Sequence, residues 1–93
     1  MNLISINPTN NKILESHKEI SKNSINQIIN SSYNTYLEWR NKSISYRSKK
    51  MKNLAKLLKQ RKEELGVLMT QEMGKPINQS IAEAEKCAWV CEY

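Results

Sequence analysis

Apolar residues recur at helical spacing in three stretches of this chain. In the first, Ile25, Ile28, Ile29, Ser32, Tyr36 and Leu37 share one side of a helix that ends at Trp39 and Arg40. Ser24 opens it, with Gln27 completing a capping box. In the second, capped by Ser43 or Ser45, Met51, Leu54, Ala55 and Leu58 form an i, i+3, i+4, i+7 stripe. Lys49, Lys52, Lys56 and Lys59 lie on the opposite side. Leu65, Leu68, Met69 and Met73 carry the stripe on, past a bend expected near Gln60–Lys62 where the charge changes sign. Gly66 lies inside this stretch, where it costs about 1 kcal/mol relative to Ala. The third stretch puts Ile77, Ile81, Ala84, Ala88 and Cys91 on one face of a last helix, with Glu83, Glu85 and Lys86 mostly on the other.

Before the helices the pattern is strand-like. Leu3-Ile4-Ser5-Ile6 and Lys12-Ile13-Leu14-Glu15 flank the turn formers Asn7-Pro8-Thr9-Asn10-Asn11. This predicts a β-hairpin over 3–15, which is not stable alone and must lie on another surface. Ser16 to Asn23 reads as a polar connection, with the sole histidine, His17, as a solvated loop residue. The fold class is therefore mainly α with an N-terminal β-hairpin, the helices filling 24–93.

The sharpest local signal is Glu72-Met73-Gly74-Lys75-Pro76. Gly74 can take the left-handed conformation that closes a helix. Pro76 suits the first turn of the next, where its missing amide proton had no partner. The last helix runs to Tyr93 without a glycine, a cap or a basic final turn, which suggests a segment of something longer.

Charge is unevenly spread. The net charge is +6, yet Arg40 to Lys62 holds ten Lys or Arg and no acid, whereas Glu63 to Tyr93 holds six Glu and only Lys75 and Lys86 as cations. A basic middle and an acidic end could be complementary to each other. The 39% apolar content, with no Phe, is low for a self-sufficient core in 93 residues. No basic-then-apolar leader and no run of roughly 18 apolar residues is present, so a cytoplasmic location and no membrane are expected.

Candidate chemistry is sparse. Gly66 and Gly74 are the only glycines, too few for a phosphate-cradling loop, and there is no Asp. Cys87 and Cys91, four apart on one helix face, have poor disulfide geometry and no nearby His for zinc, so both are expected as small reduced core residues. Neither catalytic nor metal-binding residues can be assigned. The basic stripe from Arg47 to Lys62 leaves one alternative open: a small helical module binding nucleic acid or another acidic partner. No aromatic interleaving or DNA-binding motif supports it, so nucleic acid is not the favoured partner.

The order of short motifs is more specific than any one of them. Ile6-Asn7-Pro8, Trp39-Arg40, Ser45-x-Arg47, Glu72-Met73-Gly74-Lys75-Pro76 and Glu85-Lys86-Cys87-Ala88-Trp89-Val90-Cys91-Glu92-Tyr93 follow in sequence. From Ile4 to Tyr93 this resembles the N-terminal part of the NAD(P)-dependent aldehyde dehydrogenase superfamily, most of all succinate-semialdehyde dehydrogenases of bacteria and archaea. The resemblance implies that residues 1–93 form an incomplete N-terminal segment of an α/β Rossmann-like cofactor-binding domain, about the first fifth of the parent. It implies oxidation of an aldehyde to a carboxylic acid by a cysteine thiolate, with hydride passing to NAD or NADP and water releasing the thioester. It places the family's catalytic and cofactor-gripping residues beyond Tyr93. Cys87 and Cys91 do not match the nucleophile's motif, so this chain alone is expected to be inactive and to hold no cofactor. The implied partner is the rest of the parent chain, in an enzyme expected to be a homo-oligomer. By the same resemblance Glu83 and Lys86 approach the substrate entrance, where a Lys would attract a carboxylate-bearing aldehyde. The plainer reading of this pair is a surface ion-pair face.

Overall fold

The computed structural model describes residues 2–93 as a two-stranded sheet followed by four helices: β1 (Asn2–Ile6), β2 (Ile13–Lys18), α1 (Lys22–Trp39), α2 (Ile44–Gln60), α3 (Lys62–Met73) and α4 (Ile77–Glu92). The strands are antiparallel, with Asn2 opposite Lys18, Ile4 opposite Ser16 and Ile6 opposite Ile13, and an irregularity between Ser5 and Ile6. Asn side chains shape the turn: Asn7 Oδ1 accepts from the Thr9 amide at 2.9 Å and Asn10 Oδ1 from the Lys12 amide at 3.0 Å. Asn11 takes the left-handed conformation, φ 59°.

The hairpin is longer than the pattern predicted. β2 continues to Lys18, and His17, expected in a loop, sits opposite Leu3. Extending the ladder gives the backbone of Asn2 and Leu3 a partner, and the polar side chains of β2 remain exposed. α1 also begins earlier. Ser21, not Ser24, is the cap: its backbone is extended and its side chain accepts from the Ser24 amide at 3.2 Å. For α2 the cap is Ser43, which accepts from the Tyr46 amide at 3.0 Å. The bend falls at Arg61 (φ −102°, ψ 10°), which divides α2 from α3. Gly74 closes α3 at φ 69°, its amide donating to the Thr70 carbonyl at 2.9 Å. Pro76 stands just before α4 as its cap residue, with extended ψ of 138°, one position earlier than the first-turn place expected.

The core is a seam of small residues. Among the described residues the buried apolar side chains are Ala55 on α2 and Ala84 and Ala88 on α4, joined by Gly66 and Ser80. Ser80, Ala84 and Ala88 follow at i, i+4, i+8, so they define the inward line of α4. The expected face is met at Ala84 and Ala88, with Ile81 and Cys91 half-buried; Ile77 is exposed, and Ser80 takes the inward place at that end. Cys87 is exposed as well, which corrects the expectation of two core cysteines; both are free thiols. α3 and α4 approach most closely at Gly66. A Cβ there would stand 2.7 Å from Ile81 Cγ1 and 3.2 Å from the Ile81 backbone nitrogen. The missing side chain of Gly66 makes room for Ile81.

Among the described residues three ion pairs sew the layer together. Lys59 meets Glu92, Lys62 meets Glu85 at 2.9 Å, and Lys75 meets Glu83. The basic middle and the acidic end are thus complementary within this chain. The hairpin rests on the end of α3, where Ser5 Oγ donates to Glu72 at 2.9 Å and Pro8 lies against Gly74.

α1 stands apart. It has no buried residue and no extensive packing against another element; Trp39 meets Tyr46 of α2 edge-on at 6.2 Å at the junction. The Cα trace spans 48 × 36 × 14 Å, a flat shape. Its radius of gyration, 17.3 Å, exceeds the roughly 13 Å of a compact 100-residue domain. The accessible surface is 8036 Å², against about 5,500 Å² for a compact monomer of this size. A folded domain normally stacks two layers around its core, and this chain forms one.

Candidate functional site

The exposed side of α4 carries the candidate site. α4 is aimed by the corner at Gly74 and Pro76, held against α3 at Gly66, and tied at its first turn by the buried Ser80 hydroxyl, 3.0 Å from Thr70 Oγ1. With Ser80, Ala84 and Ala88 turned inward, Gln79, Glu83, Lys86, Cys87 and Val90 face outward. They line an open groove of about 850 Å³ together with Lys75, Ala82 and Cys91.

Both residues singled out in the sequence, Glu83 and Lys86, lie on this groove, but they do not pair. Glu83 is engaged by Lys75, across the corner from α4. Lys86 has no ion-pair partner among the described residues. Two ammonium groups therefore flank one carboxylate, and the groove carries a net positive charge. Lys75 was missed in the sequence because its partner is eight residues away around a turn, a spacing with no helical signature. Ala82, Cys87 and Val90 add apolar surface to the groove, of which Cys87 is expected from the sequence in the core.

Glu85, next to the groove, points the other way and hydrogen-bonds Lys62. That contact, first through the hydrogen bond and then through the carboxylate's charge, with a smaller contribution from Glu63, holds the Lys62 ammonium above its ordinary pKa. A second groove, of about 470 Å³, lies between α2 and the end of α4. It is lined by Ile44, Arg47, Met51, Val90 and Tyr93 among others, and Arg47 Nε is buried in this region without a hydrogen-bond partner among the described residues.

The described residues bring no three of His, Cys, Asp and Glu together as a metal site. Neither glycine is free to cradle a phosphate: Gly66 is packed on Ile81, and Gly74 closes a helix beside Pro8. The residues present do not fit a dinucleotide. Among the described residues no helix is long and apolar enough to cross a membrane.

Comparison with known proteins covers the whole described chain. Residues 2–93 match the model of the aldehyde dehydrogenase family. A succinate semialdehyde dehydrogenase of Escherichia coli (strain K12), named for NAD(P)+, is 36% identical over 90 residues, 97% of this chain and 20% of the relative. A probable succinate-semialdehyde dehydrogenase of Synechocystis sp. (strain ATCC 27184 / PCC 6803 / Kazusa), named for NADP+, is 33% identical over 93 residues, 100% of this chain and 20% of the relative. A 1-pyrroline-5-carboxylate dehydrogenase of Staphylococcus haemolyticus (strain JCSC1435) is 29% identical over 90 residues, 96% of this chain and 18% of the relative. The chain thus spans about a fifth of the length of these curated relatives.

Proposed function

The chain belongs to the aldehyde dehydrogenase family, and from that premise we propose that it is the N-terminal part of an NAD(P)+-dependent enzyme oxidising succinate semialdehyde to the dicarboxylic acid. In this reading residues 1–93 are an incomplete cofactor-binding domain, whose Rossmann-like sheet lies in the rest of the polypeptide. The nucleophile and the cofactor grip lie there too, and the 93 residues alone are inactive. The working enzyme is a cytoplasmic homo-oligomer.

Within that enzyme the task of this segment is recruitment. Lys86 sits on an open, net positive groove with no carboxylate of its own to neutralise it, because Lys75 engages Glu83. That unpaired ammonium is the observation that carries the substrate reading: it draws in the distal carboxylate of a semialdehyde and leaves the aldehyde end to the reactive groups elsewhere. Glu83 keeps Lys75 in place and holds a second positive charge at the groove mouth. The competing reading, a basic module for acidic partners, loses Lys59 and Lys62 of its stripe to Glu92 and Glu85.

The test uses a chimera in which this chain replaces the matching N-terminal fifth of the E. coli relative. Lys86→Ala is expected to raise KM for succinate semialdehyde about two- to threefold, the size of an exposed ionic contact, with kcat unchanged. The increase should shrink with added salt and be absent for an uncharged aldehyde of similar length. An equal change for both aldehydes would remove Lys86 from substrate recruitment.

A further inference from the structure

α1 is charge-free over fifteen consecutive residues, Asn23 to Leu37, in a chain whose charged content is 26%. Its composition resembles the centre of an interface, where charged residues are depleted and aromatic ones enriched, and Tyr33, Tyr36 and Trp39 are half of the chain's aromatic residues. Nothing in the fold accounts for this. Ile25, Ile28, Ile29, Tyr33 and Tyr36 are all exposed, between 45% and 60%, and α1 has no extensive packing partner. α2, an outer helix with a free face, has the opposite character, with Lys49, Lys52 and Lys56 towards solvent.

Building on the family reading, we infer that α1 is a docking helix seated in a crevice of the remaining four-fifths of the family-length polypeptide and surrounded there on its polar as well as its apolar side. Three observations select this occupant. The chain spans about a fifth of its relatives, so a large protein surface is missing from around it. The excess of about 2,500 Å² over a compact monomer is several times the roughly 800 Å² that one partner buries in an ordinary association, as expected of a layer removed from a domain. The side of α1 away from its isoleucines carries Asn, Ser and Thr, without a single Lys or Glu between Lys22 and Glu38. A two-helix seam between copies of this chain would leave that side in water, where helices ordinarily carry charge. Uncharged polar groups can instead be buried once hydrogen-bonded.

Hydrogen exchange of the same chimera, read beside the 93-residue chain, decides the question. The α1 amides are expected to exchange at least 100-fold more slowly in the chimera than in the chain alone. Ile29→Glu on the apolar side and Ser31→Lys on the polar side should each abolish most of that protection, while neither alters the exchange of α3 and α4 in the chain alone. Equal α1 exchange in both proteins overturns the inference, as does indifference to both variants. Loss with Ile29→Glu only makes α1 a surface helix and overturns the surrounded seat. Concentration-dependent dimerisation of the chain, lost in Ile29→Glu, would assign the face to a second copy. Aldehyde oxidation by the unsubstituted chimera reports separately on the family reading: activity without α1 protection sinks the docking helix alone, and a chimera that neither folds nor oxidises aldehyde sinks both.

Discussion

Gly66 sets the spacing of the helical layer. In a helix interior Ala would be favoured over Gly by about 1 kcal/mol. Here an added Cβ meets Ile81 at 2.7 Å, and overpacking of this kind costs about 1–3 kcal/mol. The steric term is the larger, so Gly66→Ala is expected to destabilise the chimera with the E. coli relative by about 1 kcal/mol net. This would be read as a urea midpoint, followed by far-UV circular dichroism, moving to lower urea. A midpoint moving upward would show that α3 and α4 are not in close contact. Lys62 gives a prediction of opposite chemistry. Its partner Glu85 raises its pKa in the folded chain, so the contact stabilises below the free lysine value of about 10.4 and is lost as pH rises through the folded value. The stability difference between the wild type and Lys62→Met should therefore hold from neutral pH to about 10 and shrink above it. It should also weaken with salt, because the pair is partly open to solvent.

At the scale of elements, boundaries were legible where one residue dictates a backbone conformation. The break near Arg61 and the stop at Gly74 are visible in the sequence, and the cap of α2 is narrowed there to Ser43 or Ser45, of which the structure uses Ser43. The capping-box spacing of Ser24 and Gln27 points to Ser24, whereas the observed cap is Ser21, the serine with the extended backbone. β2 outran its apolar pattern because its extra pairing is between backbones. The Glu83–Lys86 surface pair was plausible from i, i+3 spacing, yet Glu83 was taken by Lys75, which the turn at Pro76 brings round to it.

For the whole molecule the decisive number is its thickness. The Cα trace is 14 Å across its thinnest dimension, and the buried apolar side chains among the described residues are all alanine. Ile25, Ile29, Leu54 and Trp89 remain wet, Trp89 at 69%. Isolated, the 93-residue chain should bind a hydrophobic dye and melt over a broad range while keeping helical circular dichroism. A sharp transition with dispersed side-chain NMR signals would show instead that the layer is self-sufficient.

What the sequence determined by itself was local and ordinal: the hairpin turn at Asn7–Asn11, the corner at Gly74 and Pro76, and the order of short motifs that identifies the family. These depend on conformations chosen within a few residues, or on spacing along the chain, and both survive without a partner. Tertiary structure alone decided which side of each helix faces in. α4 presents Ser80, Ala84 and Ala88 to its neighbours, with Ile81 lying over Gly66 and Ile77 left exposed. It also decided that Glu83 answers Lys75, that Cys87 is exposed, and that the amphipathic α1 has no extensive packing partner. Periodicity shows that a face is apolar, but the surface that meets it is a property of the partner.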